Sequence, residues 1–310
     1  MGMHPRWIRA DLVCSTTQRT VDRQYLLKSD PFVHNAVGAS AARALKKFPV
    51  KLYWLEHNIN HEQTGMAPMD DSKQSATNLV RFKQLFHRLL AEELNRHLGR
   101  EGAIFSTPSR DVPCIDDESV ERQFYYALTN PVKDGLCDRI RNWGGFSSYA
   151  AVAEGKEQTF TYIDRTAWHR AGGVGSGRSP ETFSKTIRLE FTPLPGTEHM
   201  KPEKCQSLVR RRVREIEQAS REQRKAEGRS AMTASRMARL DHRNRPRTRP
   251  PRTPKPLCHA SSHAARRAFK QEHRAFLDAY RQASIHYRQG HFDIEFPRGS
   301  FRPPLLVAAA

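Results

Sequence analysis

Cysteine is sparse and scattered in this 310-residue chain, and that excludes two architectures. Cys14, Cys114, Cys137, Cys205 and Cys258 include no CxxC pair, so a structural zinc site is not expected. Their spread over a long chain is not a disulfide framework and points to a reducing compartment. Long hydrophobic runs are absent too. No apolar stretch approaches the roughly 18 residues of a membrane span, and the first residues lack the apolar centre of a secretion signal. The expectation is a soluble, cytoplasmic protein without a membrane partner. Hydrophobic residues make up only 37% of the chain, so part of it is expected outside any core. Acidic residues become scarce towards the end. Residues 1–200 carry 26 Lys and Arg against 23 Asp and Glu, or +3, whereas residues 201–310 carry 26 against 10, or +16. The last third therefore reads as a polyanion-binding extension, with nucleic acid as its natural partner.

Two nucleotide-binding patterns are missing as well. Gly172-Gly173-Val174-Gly175-Ser176-Gly177 lacks a strand before it, and Arg178-Ser179-Pro180 follows where a helix would open. It reads as a linker, not a phosphate cradle. No Lys/Arg-Gly-Phe/Tyr-Gly-Phe pattern occurs, which places an RNA-stacking sheet below a DNA partner. Cys258, His259 and His263 lie beside an Arg- and Pro-rich stretch, and their spacing reads as incidental.

What is present is an α+β pattern. Ala10–Ser15 and Gln24–Leu27 read as strands joined by a polar loop, Thr16–Asp22. Asp30-Pro31 opens a helix to about Lys47. Phe48–His57 reads as a strand, continuing through Asn58 to Gln63. A long helix is expected over about Gln74–Leu98, with Leu79, Phe82, Phe86, Leu89 and Leu90 on one stripe and Gly99 as its stop. Ala103–Thr107 reads as a short strand and Thr182–Thr192 as a further one. The spacing predicts basic helices over about Glu203–Glu227 and Ser262–Gln289. Between them, residues 241–257 are too rich in Arg and Pro to order themselves.

The stretch Phe124-Tyr125-Tyr126-Ala127-Leu128-Thr129-Asn130-Pro131-Val132-Lys133-Asp134-Gly135-Leu136 organises the rest. Asp116, Asp117 and Glu118 suit a helix start. Val120, Phe124 and Leu128 make an apolar face. Pro131 is expected to stop the helix, and Gly135 to allow a turn. Tyr126 and Asn130 lie four apart, on one face of the last turn. If Ile59–Gln63 is a strand, His61 and Gln63 also share a face. An imidazole nitrogen with the amide oxygens of Gln63 and Asn130 could hold a divalent cation, Mn²⁺ more readily than Mg²⁺. A metal beside a tyrosine hydroxyl is a site for phosphoryl transfer to tyrosine. His57 falls on that face in a continuous strand, but roughly 13 Å away. The plainer reading is a core tyrosine and a helix-stop asparagine.

The chain resembles the single-tyrosine HUH transposases, in particular their REP-associated branch. The resemblance rests on Tyr126–Leu136, then Trp143 and Ser147-Ser148. It is supported by Gln24–Leu27, a helix, a strand with Asn60-His61, and Phe86-His87 on a long helix. Arg274–Arg281 through Phe296-Pro297-Arg298-Gly299 is similar to the tail of one bacterial subgroup. This resemblance implies a ferredoxin-like (RRM-like) HUH domain with an antiparallel sheet and packed helices, plus a basic, largely helical C-terminal extension. The implied boundaries are a transposase domain over 1–170, a linker and strand over 171–200, and a partly disordered extension over 201–310. It implies a partner in single-stranded, hairpin-containing DNA, cleaved and rejoined through a 5′-phosphotyrosine on Tyr126. It also implies Mg²⁺ or Mn²⁺ held at the positions of His61, Gln63 and Asn130. The sequence departs from the family here: Gln63 stands for a second histidine, as in related rolling-circle replication proteins. Glu62 stands for an apolar residue and is expected to face into the sheet packing, where an unpaired carboxylate is costly. The other reading is a DNA-binding protein of the same fold with an impaired site. Arg210, Arg211, Arg212, Arg214, Arg243 and Arg245 are the expected DNA-binding arginines, and a homodimer is one assembly open to the chain.

Overall fold

A computed structural model describes residues 5–106, 109–246 and 255–304. Its centre is a four-stranded sheet in the order β2-β3-β1-β4, built from β1 (Val13–Arg19), β2 (Lys51–His57), β3 (His61–Ala67) and β4 (Arg110–Cys114). Every pairing is antiparallel. Helix α1 (Pro31–Lys47) links β1 to β2, and α2 (Lys73–Leu98) links β3 to β4. The two helices pack together over one face of the sheet. This is the ferredoxin-like arrangement.

The local signals explain the helices. Asp30 caps α1 by accepting from the Phe32 and Val33 amides, with Pro31 in the first turn. Ser72 caps α2, and Gly99 ends it at φ +58°. The apolar stripe of α2, including Phe82, Phe86 and Leu90, is buried against α1, Leu52, Leu55 and Met66. Each such side chain contributes about 1.5–3 kcal/mol on burial.

Four strand expectations are corrected. Residues 16–19 of the polar run expected as a loop belong to β1, because Thr16 and Gln18 are buried with their polar atoms satisfied: Thr16 Oγ1 donates to Asp111, and Gln18 Nε2 to the Ser106 carbonyl. Gln24–Leu27 is a turn that buries Leu26 and Leu27. Phe48–Gln63 is not one strand: the chain reverses over Asn58-Ile59-Asn60, so β2 and β3 form a hairpin. Around Ala103–Thr107 only Phe105 bridges to Thr20, Thr107 lies outside the described residues, and the true edge strand is β4, where Pro113 is tolerated.

The second face of the sheet is covered by later parts of the chain. Helix α3 (Asp117–Leu128), the short α4 (Asn130–Lys133) and α5 (Tyr149–Glu154) cover it. A hairpin of β5 (Gln158–Ile163) and β6 (Ser184–Leu189) packs on α1. The glycine run at 172–177 makes a short 3₁₀ turn in the connection of that hairpin, after α6 (Arg165–Arg170). Helix α7 (Pro202–Ala226) lays Val209 and Val213 against the core that holds Phe124 and Tyr125. After α8 (Ala234–Ala238), Tyr25 donates its amide to the Asn244 carbonyl, so residues up to 246 lie on the domain. Within the Arg- and Pro-rich stretch, residues 247–254 are outside the described residues. His259 then bridges to Cys114 at the β4 edge, and α9 (His263–Arg288) stacks Phe269 and Phe276 on Trp7. No helix among the described residues is long and apolar enough to cross a membrane.

Candidate active site

Pairing on β3 sets the site. Residues directly opposite in an antiparallel ladder share a face. Gln63 lies opposite Thr17 of β1 and Glu56 of β2, and His61 lies opposite Arg19. His61 and Gln63 therefore face α3, and Glu62 faces α2. The close seat of α3 on this face depends on Gly65. A Cβ there would meet the Trp54 ring at 2.3 Å, and Trp54 in turn packs edge-on against Phe124.

Helix α3 begins at Asp116, which forms a capping box with Ser119. Its Val120, Phe124 and Leu128 are buried, as their spacing requires. Pro131 does not simply end the helix. The chain breaks at Thr129 and a new turn starts at Asn130 with the proline in its first turn, where no amide donor is needed. Thr129 closes the break by donating both its amide and its hydroxyl to the Tyr125 carbonyl. Gly135 then takes φ +70°, the left-handed region that favours glycine. Asn58 Nδ2 donates to Asp134 Oδ2 at 2.6 Å, which ties this turn to the β2–β3 hairpin.

The result brings three of the expected residues into contact. Asn130 Nδ2 lies 2.9 Å from His61 Nε2 and 3.0 Å from Gln63 Oε1. His61 Nδ1 is 2.9 Å from Asn60 Oδ1, an acceptor, so the ring proton sits on Nδ1 and the Nε2 lone pair faces Asn130 Nδ2. Burial, with the charges of Arg19, His57 and Arg23, pushes His61 down to about 4. The imidazole is thus neutral at pH 7, its ligating form.

Tyr126 stands one helical turn from Asn130 and is 44% exposed, so it is not a core tyrosine. The Lys133 ammonium lies 5.1 Å from its ring centroid. Partial burial and the Asp134 charge raise the Tyr126 phenol, and Arg19 acts in the other direction. Arg19 thus bears on both Tyr126 and His61. Burial and then Arg212 lower the Lys133 ammonium. Arg19 and Lys133 were missed in the sequence. For Arg19 the signal is the β1–β3 register, which single-chain periodicity does not contain.

Glu62 is buried, as expected, but it is not unpaired. Its Oε1 lies 2.5 Å from His87 Nε2 and its Oε2 3.4 Å from His57 Nε2. Burial alone would raise this carboxyl, yet the two histidines hold it at about 2. His57 therefore lies on the opposite face from His61, not on the shared face that a continuous strand implied.

The donor set meets a divalent cation in part. His61 Nε2, Gln63 Oε1 and the Asn130 amide converge, and the Asn60 bond orients the imidazole as an outer-shell partner does. With its amide turned, Asn130 would add a second oxygen. One nitrogen and two neutral oxygens suit Mn²⁺ better than Mg²⁺, which favours carboxylates. Among the described residues there is no cluster of three or more His, Cys, Asp or Glu that could hold a metal.

The expected DNA-binding arginines divide by environment. Arg211, Arg212 and Arg214 are exposed on α7, and Arg243 and Arg245 are exposed beyond α8. Arg212 also pairs with Glu215 at 2.8 Å. Arg210 is half-buried and donates to the Ala153 carbonyl at 2.5 Å.

No protein-family model matches this chain. No curated protein matches it either. Among solved structures, one described as the "Structure of the REP associates tyrosine transposase bound to a REP hairpin" is similar over 50% of this chain and 86% of that one, at 15% identity and a TM-score of 0.39.

Proposed function

We propose that this chain is a member of the single-tyrosine HUH transposases, of the REP-associated branch, and that it cleaves and rejoins single-stranded, hairpin-containing DNA through Tyr126. One observation carries the reading: an exposed tyrosine stands a helical turn from an asparagine that touches both His61 and Gln63. A core tyrosine and a helix-stop asparagine would not need that contact.

In the proposed step, Tyr126 Oη attacks the scissile phosphorus. A bond forms between Oη and phosphorus, and the bond from phosphorus to the 3′ oxygen breaks. The phenol loses its proton, the departing 3′ oxygen gains one, and the 5′ phosphate stays on tyrosine. The raised phenol means that Tyr126 is not ionised before the DNA arrives. Lys133, over the Tyr126 ring, and Arg19, whose charge acts on the phenol, would stabilise charge on the phosphate oxygens. His61, Gln63 and Asn130 would hold Mn²⁺ or Mg²⁺, which when bound would supply further charge neutralisation. The exposed arginines of α7 and those at 243 and 245 would track the DNA backbone.

The test is incubation with labelled hairpin oligonucleotides carrying single-stranded flanks, with Mn²⁺ present. A denaturant-resistant protein–DNA adduct that disappears in Tyr126→Phe supports cleavage. A second reading, binding without cleavage, is favoured by the neutral donor set. It gains if salt-sensitive binding persists with no adduct on any hairpin.

A further inference from the structure

The basic segment after residue 200 would be expected to turn its charges to solvent or to nucleic acid. Helix α7 does not do so throughout. Arg224 is only 4% exposed and Glu217 only 6%. Arg224 Nη1 donates to the Val132 carbonyl at 2.5 Å, and its Nη2 to Asp138 Oδ1 at 2.7 Å. Glu217 Oε1 accepts the Ile140 amide at 2.8 Å. Just beyond α7, the Met232 amide donates to the Gly135 carbonyl at 2.8 Å. All four acceptors and donors on the other side belong to the chain immediately after Asn130.

This placement has a cost. Taking a guanidinium out of water costs several kcal/mol unless its partners are well placed. Asp138 itself is 57% exposed, so Arg224 is not a buried pair of equals. What it meets inside is a carbonyl of α4, where a cation also suits the helix dipole. The four-stranded sheet does not need this contact, because α1 and α2 form a core of their own on its other face. The beneficiary is the Asn130–Leu136 turn. The outer side of the same helix presents Arg211, Arg212 and Arg214, and the Arg212 charge bears on Lys133, beside the Tyr126 ring.

We propose that Arg224, assisted by Glu217, is a positioning residue that fixes the Asn130–Leu136 turn relative to Tyr126, so that the C-terminal segment completes the active site as well as binding DNA. The proposal rests on the reading of Tyr126 as nucleophile. Misplacing a reacting group by about 1 Å costs on the order of a hundredfold in rate, so the loss should appear in the chemical step and not in affinity.

The test uses the full chain with Arg224→Ala and Arg224→Lys. It measures adduct formation in a single turnover at saturating hairpin oligonucleotide, oligonucleotide affinity, and hydrogen exchange of amides 132–136 against those of β3. Arg224→Ala is expected to slow the saturated rate on the order of tenfold to a hundredfold, with affinity within about twofold. Added guanidinium should restore part of that rate while leaving the wild type unchanged, and Arg224→Lys should fall between. Exchange should rise at 132–136 and not in β3. A wild-type saturated rate, a loss wholly in affinity, or exchange raised equally in β3 overturns the proposal. If the wild type forms no adduct, the nucleophile reading fails by itself. Exchange at 132–136 then decides the positioning, and unchanged protection in Arg224→Ala overturns it.

Discussion

Glu62 and Glu56 are two buried carboxyls near one site, and their surroundings drive them in opposite directions. Glu62 sits between His87 and His57 and is held ionised. Removing one partner leaves a buried charge half-compensated, so His87→Ala should cost about 3 kcal/mol of unfolding free energy, with Glu62→Gln costing less, as urea unfolding would show. Glu56 lies opposite Gln63 and accepts from Ser148, through its amide at 2.9 Å and its hydroxyl. Its Oε2 has no hydrogen-bond partner among the described residues, and burial pushes the group up to about 8. The unfolded chain loses this proton near pH 4.5, whereas the folded chain keeps it to about pH 8. At this group the native state therefore binds more protons across that window, and the stability that Glu56 contributes falls as pH rises through it. Glu56→Gln should remove this contribution, so that the change in stability from pH 5 to 8, read from thermal melts, is more favourable than in the wild type.

At the scale of elements, the hairpin turn and the α3–α4 break are joined by the Asn58–Asp134 hydrogen bond. Asn58→Ala should leave the sheet intact and loosen the turn, seen as faster exchange at amides 132–136 and a loss of about 1 kcal/mol. Gly65→Ala should be far worse, because the Trp54 ring has no room to withdraw. How much of this was legible follows the range of each signal. Caps and apolar stripes are local, so α1, α2, α3, α7 and α9 stood in the sequence within a residue or two. The spacing of four between Tyr126 and Asn130 was legible, and it is Asn130 that reaches His61 and Gln63. The hairpin was not, because Asn58-Ile59-Asn60 turns without glycine or proline. β1 was hidden because its polar side chains are satisfied by distant Asp111 and Ser106. Glu62 was a liability on paper only because His87, on another element, was not in view.

At the scale of the molecule, the charge divides by depth as well as by sequence. The segment after residue 200 carries +16, yet its Arg224 is inside the protein. Only the exposed arginines should enter the salt dependence of DNA binding. Replacing Arg211, Arg212 and Arg214 with alanine should reduce the slope of log K against log salt by about 2 for single strands, at about 0.7 per phosphate contact. Arg224→Ala should leave that slope alone. The functional reading rests on Tyr126, exposed and one turn before the asparagine that touches His61 and Gln63, reacting with DNA. The most direct measurement is mass spectrometry of the protein after incubation with hairpin oligonucleotides and Mn²⁺. The account predicts a nucleotide adduct mapped by proteolysis to Tyr126 and absent in Tyr126→Phe. An adduct on another residue, or none on any hairpin that the protein binds, would contradict it.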